Sequence, residues 1–539
     1  MKTMVEQEHV FVVDTTDREH LSYGDALDLY ANRERSVHIT STPNDPLVSI
    51  YFQAYNHLEE YTKPAIEAIF KYTQDIDYEL ILVDNGSTDG TFEYFKSLAY
   101  PNKRIYRITK NIGAFYGYMG AKRATRGRFI RGKYFVSVPN DVLVTENWLK
   151  NMLRCAESDE RIGFLVPMSD RVSNMQDVDL GYTDFADMQR KAAVFNQSDP
   201  LKWYDRLRLI PTVCMIRTSL REFYETDYGF VYNFADDDLS FAYRRLGYRL
   251  ILCGDVFVHH EGSTVVGADR NKFIEDLEKG REVFRRKYRG IDAWDDVNNF
   301  ERPMLGAMFD TVEQKTSPIH VLGVDVRCGS PLFEIKNLLR RHGLLDVHLA
   351  AYTTDAKYWQ DLSFVCDGDV YCGDIDRLHK KLGDAMYDYI IIGEYLDTYD
   401  DADMLIQDAA AHLREGGLLA FKSRDYIIGD DLQEIADILG SEMRPIQKGV
   451  SHLLSLLENC PYKLHVARYV KEDYISLRET FFTQLEKIEA YHQDECIRAF
   501  SRISVNKTDW LNFVLKQTII ELFPKIARTI EKNIPPLKI

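Results

Sequence analysis

Two α/β units built on parallel sheets, followed by a helical C-terminal region, are what this sequence predicts. Three observations carry that expectation. Apolar, β-branched or aromatic runs alternate with helical stretches from residue 46 to about residue 305. The alternation restarts at Ile319-His320-Val321-Leu322, after the segment 301–319 that contains Arg302-Pro303 and Thr316-Ser317-Pro318. The last seventy or so residues show mixed apolar and charged periodicity, interrupted by Pro524. The expected organisation is an arm over 1–45, a first α/β domain over 46–305, a second over 316–465 and helices over 466–539.

Composition narrows the classes. A chain of 539 residues exceeds one ordinary core, and 45% hydrophobic with 28% charged side chains is the balance of a globular protein. The formal net charge of -17 has the wrong sign for tracking a phosphate backbone, so no nucleic-acid partner is expected. The N-terminal residues lack a signal-peptide pattern, and no run of roughly 18 apolar residues occurs, so no transmembrane helix is expected. Eight cysteines lack metal-type spacing, Cys366 and Cys372 being the closest pair. They read as buried, reduced thiols of a cytoplasmic protein.

In chain order, the arm carries one helical stretch and ends in the turn-rich Ser41–Pro46. Leu47–Tyr55 reads as a buried strand, the stretch through Ala65-Ile66 and Ile69-Phe70 as a helix, and Leu80–Val83 as a second strand. That order makes a βαβ unit. It continues through a strand at Arg104–Ile108, a helix near Gly117–Thr125 and a strand at Tyr134–Val138. Trp203 and Tyr204 fall in a loop-like stretch before a strand at Pro211–Ile216; they suit either the core or a sugar ring. In the second unit, strands are expected at Tyr389–Ile392 and Leu418–Phe421.

Ligands gather at the carboxyl edge of open parallel sheets, and several chemistry-bearing residues fall there. Asp84 closes the strand Leu80–Val83 and opens the turn Asn85–Thr91, where its carboxylate can accept from a nucleobase N–H. Asp141 follows the strand ending in Pro139-Asn140 and can hold a hard cation with pyrophosphate oxygens. Asp236-Asp237-Asp238 opens a helix; three adjacent carboxylates raise one another's pKa, which suits a general base. His259-His260 ends a strand and can complete a metal shell. Each signal alone also describes a turn, a cap, a solvated helix end or a structural histidine.

Their order resembles the family 2 inverting glycosyltransferases, which have a GT-A type nucleotide-sugar fold. The resemblance covers about residues 46–290. It rests on Tyr55-Asn56, Val83–Thr91, Lys110-Asn111-Ile112-Gly113 with Gly117, Arg131–Phe135 leading to Asn140-Asp141, Asp236–Leu239, Gly247-Tyr248-Arg249 and His259-His260. It implies a nucleotide-diphosphate sugar donor contacted by Tyr55, Asn56, Asp84, Asn85, Asn111, Gly113 and Asn140. It implies Mn2+ or Mg2+ on Asp141 with His259 or His260. Asp236 aligns with the catalytic base, with Asp237 its nearest rival. Pro139 replaces the first polar residue of the family's metal element, and Ala235 replaces the Glu that often precedes the base. The basic residues between Lys122 and Lys133 read mostly as solvated charges, with phosphate or an acidic acceptor as the alternative.

Val321–Pro331, with Gly373-Asp374, Tyr387–Asp397 and Leu413–Leu418, resembles the class I methyltransferases. Arg327 and Pro331 stand at two loop glycines, and the strand ending at Tyr352 lacks the ribose-binding acid. The resemblance therefore implies a Rossmann-like domain without S-adenosylmethionine, used for packing, acceptor binding or assembly. The helices, for example Leu511–Ile530, suit packing on a neighbour or a second subunit, with a membrane-surface helix as the alternative. The expected activity is hexosyl transfer to a glycan, glycolipid or glycoprotein in bacterial surface glycoconjugate assembly. The expected place is the cytoplasm or, peripherally, the inner face of a membrane. A bifunctional transferase and methyltransferase, and a non-catalytic glycan- or nucleotide-binding scaffold, are the competing readings.

Overall fold

The structure is a computed structural model. It describes residues 2–7, 9–14, 45–225, 227, 230, 234–262, 270–300, 305, 316–424, 462–471 and 479–487. The chain divides into two compact units, Met1–Asn298 and Asn299–Ile539.

The first unit contains strands β1 (Lys2–Gln7), β2 (Val10–Asp14), β3 (Val48–Ala54), β4 (Tyr78–Asn85), β5 (Lys103–Ile108), β6 (Tyr134–Pro139), β7 (Val142–Leu143), β8 (Ile162–Ser169), β9 (Trp203–Arg206), β10 (Cys214–Arg217) and β11 (Arg249–His260). They form one sheet in the order β1-β2-β5-β4-β3-β6-β10-β8-β11-β7, with β9 paired to β11. Strands β2, β5, β4, β3 and β6 run parallel, and β10 enters antiparallel between β6 and β8.

The sheet is buried on both faces, as a parallel sheet requires. Val48, Ile50, Phe52 and Ala54 of β3 pack with Ala65, Ile66 and Ile69 from the helix Lys63–Tyr72. Tyr51 points to the other face, among Tyr118 and Ala121 of the helix Ala114–Ala124 and Leu239 and Ala242 of the helix Ala235–Arg245. Each fully buried large side chain contributes about 1.5–3 kcal/mol.

One buried charge crosses this core. Glu79 accepts from Arg104 Nη2 at 2.7 Å, Arg131 Nε at 2.7 Å and Ser49 Oγ at 2.5 Å, tying β3, β4 and β5 to the loop before β6. Several basic residues of the 122–133 stretch thus have carboxylate partners. Besides Arg131, Lys122 pairs with Glu225, Arg128 with Asp45 at 2.7 Å and Lys133 with Glu157 at 3.1 Å.

Two sequence expectations change in this unit. The arm begins as an antiparallel hairpin, β1 and β2, whose second strand extends the sheet beside β5. Val10–Val13 is a short β-branched and aromatic run whose backbone is paired by β1 on one side and β5 on the other. The expected helical stretch of the arm lies outside the described residues. Trp203 and Tyr204 are not in a loop but in β9, antiparallel to β11, and Trp203 Nε1 donates to the buried Asp255 at 2.9 Å. Trp203 is partly buried and packs against the core.

The second unit contains β12 (Ile319–Val324), β13 (Val347–Thr353), β14 (Val370–Cys372), β15 (Tyr387–Tyr395), β16 (Leu413–Arg424), β17 (Tyr462–Lys471) and β18 (Glu479–Lys487). Their order is β14-β13-β12-β15-β16-β18-β17, parallel through β16 and antiparallel at β18 and β17. The chain departs from β12 first to one side and later to the other, the switch point of a doubly wound sheet. Strands β17 and β18 correct the expectation of helices over 466–539 where they fall. They pair with each other as neighbours along the chain, but only the pairing of β18 with the distant β16 joins them to the sheet. The remainder of that stretch, including Leu511–Ile530, lies outside the described residues.

No helix among the described residues is long and apolar enough to cross a membrane. The six described cysteines are free; all but Cys372 are buried.

Candidate functional site

The carboxyl ends of β3, β4 and β6 lie side by side in the first unit, because Ala54 pairs with Asp84 and Gln53 with Pro139. Above them opens a cavity of about 600 Å³, the volume range of a ligand pocket. Tyr55, Asn85, Asn111, Gly113 and Asn140 line it, together with Asp236 from the opposite side.

A hydrogen-bonded asparagine layer shapes one wall. Asn85 Nδ2 donates to Asn111 Oδ1 at 3.2 Å and to the Gly113 carbonyl at 3.1 Å, while its Oδ1 accepts from Ile112 N at 3.3 Å. Asn56 accepts from Thr88 N at 2.9 Å, and its own N–H donates to Ser87 Oγ at 2.9 Å. Asn140 Nδ2 reaches Thr62 Oγ1 at 3.3 Å. Gly86 must be glycine: its φ is +85°, and a Cβ would stand 2.3 Å from Asn111 N.

Asp84 does not line this cavity. It is fully buried, paired with Arg107, and it accepts from Ser87 N at 2.9 Å. Its carboxylate holds the turn that presents Asn85, and a nucleobase has no access to it in this arrangement.

The acidic triplet separates into three environments. Asp237 is buried and paired with Arg208. Asp238 is buried and bonded to Lys287 Nζ at 2.9 Å, Tyr224 OH at 2.7 Å and Tyr288 OH at 2.7 Å. Asp236 faces the cavity. Burial, then the charge of Asp237, pushes its carboxyl up to about 7, against the pull of Arg208. Asp237, offered by the sequence as the rival of Asp236, is absent from the cavity lining because its ion pair turns it away.

The metal-type residues meet where β7 joins β11. Strand β11 pairs with β7, setting His260 opposite Val142 and so beside Asp141. His260 Nε2 lies 3.5 Å from Asp141 Oδ2, and its Nδ1 donates to the Arg171 carbonyl at 2.9 Å. A carbonyl oxygen only accepts, so the neutral ring keeps its lone pair on Nε2, toward Asp141. His259 is occupied otherwise. Its Nδ1 meets Asp170 Oδ2 at 2.6 Å and Tyr182 OH at 2.9 Å, and its Nε2 meets Glu261 Oε1 at 3.2 Å. Among the described residues no three His, Cys, Asp or Glu side chains form a group that could hold a metal ion.

Sequence reasoning missed Gln53, Thr212 and Arg221 in the cavity lining, and Arg208 beside it. Gln53 was legible by strand alternation from Tyr51. Arg208 carried no such signal: in Asp205-Arg206-Leu207-Arg208-Leu209 it alternates with leucines as a solvent-facing side chain would.

In the second unit, Asp325 follows β12 with φ 48°. Its carboxylate accepts from Thr354 N at 2.7 Å, Thr354 Oγ1 at 3.0 Å and Tyr399 OH at 3.0 Å. Arg327 Nε pairs with Glu394 Oε1 at 2.7 Å. The loop after β12 is therefore bonded to the chain ends of β13 and β15.

The first unit is a mixed α/β domain with an asparagine- and carboxylate-lined cavity at the carboxyl edge of its parallel strands. Residues 49–206 match the family described as glycosyl transferase family 2. An uncharacterized glycosyltransferase of Haemophilus influenzae is 29% identical over 119 residues, 22% of this chain and 35% of that protein. An uncharacterized glycosyltransferase of Methanocaldococcus jannaschii is 30% identical over 122 residues, 22% of this chain and 40% of that protein. The chain thus spans well under half the length of these relatives. Among solved structures, GalNAc-T7 with UDP, GalNAc and Mn2+ aligns at 14% identity and a TM-score of 0.35, covering 49% of this chain and 51% of that one. The mannosyltransferase PcManGT from Pyrobaculum calidifontis, in complex with GDP-Man and Mn2+, aligns at 16% identity and a TM-score of 0.31, covering 59% and 78%. The acidic helix and His259-His260 lie beyond the residues matched to the family.

Proposed function

We propose that the chain is an inverting glycosyltransferase that moves a hexosyl group from a nucleotide-diphosphate sugar to a hydroxyl of a glycan, glycolipid or glycoprotein acceptor, in bacterial surface glycoconjugate assembly. The observation that carries this reading is Asp236, a carboxylate facing the cavity and held near neutrality. A base of that strength takes the acceptor's hydroxyl proton at neutral pH. The freed oxygen attacks the anomeric carbon, the bond to the diphosphate breaks, and a single displacement inverts the centre. Asn85, Asn111 and Asn140 supply amide donors and acceptors for the nucleotide and sugar from a wall already braced by its own bonds.

Asp141 and His260 fit a divalent cation such as Mn2+ or Mg2+: one oxygen and one oriented imidazole nitrogen face each other. When bound, the ion neutralises charge on the leaving diphosphate. The second unit serves packing, acceptor binding or assembly, since Asp325, Arg327 and Glu394 at its switch point are bonded to one another's neighbours rather than left for a nucleoside cofactor.

The test is calorimetric titration of uridine, guanosine and thymidine diphosphates, with and without manganese, on the wild-type chain and Asp141→Asn. Manganese-dependent binding of one nucleotide, lost in the variant, is the expected result. Absence of nucleotide binding under every condition leaves a non-catalytic scaffold. Titration with S-adenosylmethionine is expected to show no heat; saturable binding would establish the bifunctional reading.

A further inference from the structure

Beside the cavity lies a buttress that the family match does not reach. Arg208 is buried, bound to Asp237, and its guanidinium lies 5.8 Å over the ring of Trp294. The same indole stacks on Phe234 at 4.9 Å and 24°, and Arg281 lies over it at 5.5 Å. Phe234 immediately precedes the acidic helix in a left-handed conformation, φ 69°. A bulky residue is rarely found there, and such a conformation persists only where its surroundings hold it. Trp294 therefore braces both the backbone entering the helix and the arginine that binds its second acid. Asp238 is anchored independently by Lys287.

Successive helical side chains point about 100° apart. Holding Asp237 and Asp238 in two fixed directions therefore aims Asp236 in a third. We propose that Arg208 is a positioning residue for Asp236: clamped on Trp294, it binds and neutralises Asp237 so that Asp236 is the carboxylate presented to a ligand. This rests on the reading of Asp236 as the base. Groups facing Asp236 come from three elements besides its own helix, which contributes Asp237. They are Arg208 from the loop before β10, Cys214 from β10 and Arg221 from the helix Thr218–Phe223. Cys214 stays a neutral thiol, pushed up to about 12 by burial, so Asp237 and Arg208 supply the charges that act on Asp236.

The experiment needs no substrate. The full chain is labelled with carbon-13 at the aspartate side-chain carboxyl, and the Asp236 resonance is assigned by its loss in Asp236→Asn. Its titration midpoint is then followed in Arg208→Gln, Asp237→Asn and the double variant. Arg208→Gln leaves Asp237 uncompensated and is expected to raise the midpoint by about one pH unit. Asp237→Asn leaves Arg208 uncompensated and is expected to lower it by a similar amount. The double variant is expected to return close to wild type. Shifts in the same direction, or none, overturn the proposal, because a purely structural role predicts no opposed and cancelling changes. Should Arg208→Gln fail to fold, Arg208→Lys must keep the wild-type midpoint while Asp237→Asn lowers it. The nucleotide titration fails or succeeds separately, so loss of the transferase reading is distinguished from loss of this one.

Discussion

His260 presents Nε2 to Asp141 Oδ2 at 3.5 Å while its Nδ1 is held by the carbonyl of Arg171 at 2.9 Å. Its neighbour His259 spans two other carboxylates, Asp170 and Glu261. Adjacent residues of one strand point to opposite sides, so only one of the two can face Asp141.

That geometry assigns different losses to the two histidines. His260→Ala is expected to weaken manganese-dependent nucleotide diphosphate binding on the order of 10–100-fold, the scale of a lost ligand or its support. His259→Ala is expected to lower thermal stability with a smaller effect on metal dependence. Calorimetry and thermal unfolding on both variants check this; the reverse ranking would move the cation to His259.

Asp236 sets a pH dependence with a definite sign. A base acts when ionised, and burial with Asp237 pushes this carboxyl up to about 7. Turnover is expected to rise with pH through that value and to fall below it. Asp236→Asn is expected to lower transfer by about 10²–10⁴-fold while leaving nucleotide binding intact. A pH–rate profile flat between roughly pH 6 and 8 would falsify the assignment.

The Asp170–His259 pair gives a stability window. Burial pushes Asp170 up, but bonds from His259, Tyr182 and the His260 N–H outweigh it and hold the carboxyl down to about 2. Its stabilisation is complete above the unfolded value of about 3.9 and fades as pH falls through the folded one. His259 is raised, against burial, by Asp170 and then Glu261. Its contribution is complete below about 6.5 and is lost as pH rises through the folded value. The pair therefore stabilises most between about pH 4 and 6.5. Asp170→Asn is expected to cost about 2 kcal/mol in that window and to flatten the pH dependence of unfolding.

Two glycines of the turn after β4 are expected to differ. Both have positive φ, +85° at Gly86 and +94° at Gly90, but an added Cβ meets Asn111 N at 2.3 Å in the first and only Leu58 Cδ2, at 3.6 Å, in the second. Gly90→Ala is expected to cost about 1 kcal/mol for its backbone conformation alone. Gly86→Ala is expected to cost about 2–3 kcal/mol or more, since backbone must move, and to weaken nucleotide binding by displacing Asn111. Chemical denaturation of both variants measures the difference.

By itself the sequence determined the strands of the parallel sheets and the order of the site motifs along them. Both are local: a nearly continuous apolar, β-branched and aromatic run such as Val48–Ala54 reports a strand buried on both faces, and a parallel strand's end places Asn85, Asn140 and Asp141 at one edge. Tertiary structure decided which side chain of each motif is available. Asp84 carries the family-like turn yet is consumed by Arg107 and Ser87. Asp236 is distinguished from Asp237 by Arg208, 29 residues away in sequence. His260 is distinguished from His259 by the pairing of β11 with β7. Strands β17 and β18, read from sequence as helix, are defined by hydrogen bonds to each other and to β16. In these cases charges and backbone groups of similar intrinsic chemistry are sorted by the partners that packing brings to them, most of them from other elements. Burial makes an unpaired charge or N–H expensive, and which partner satisfies it is settled only when the elements pack.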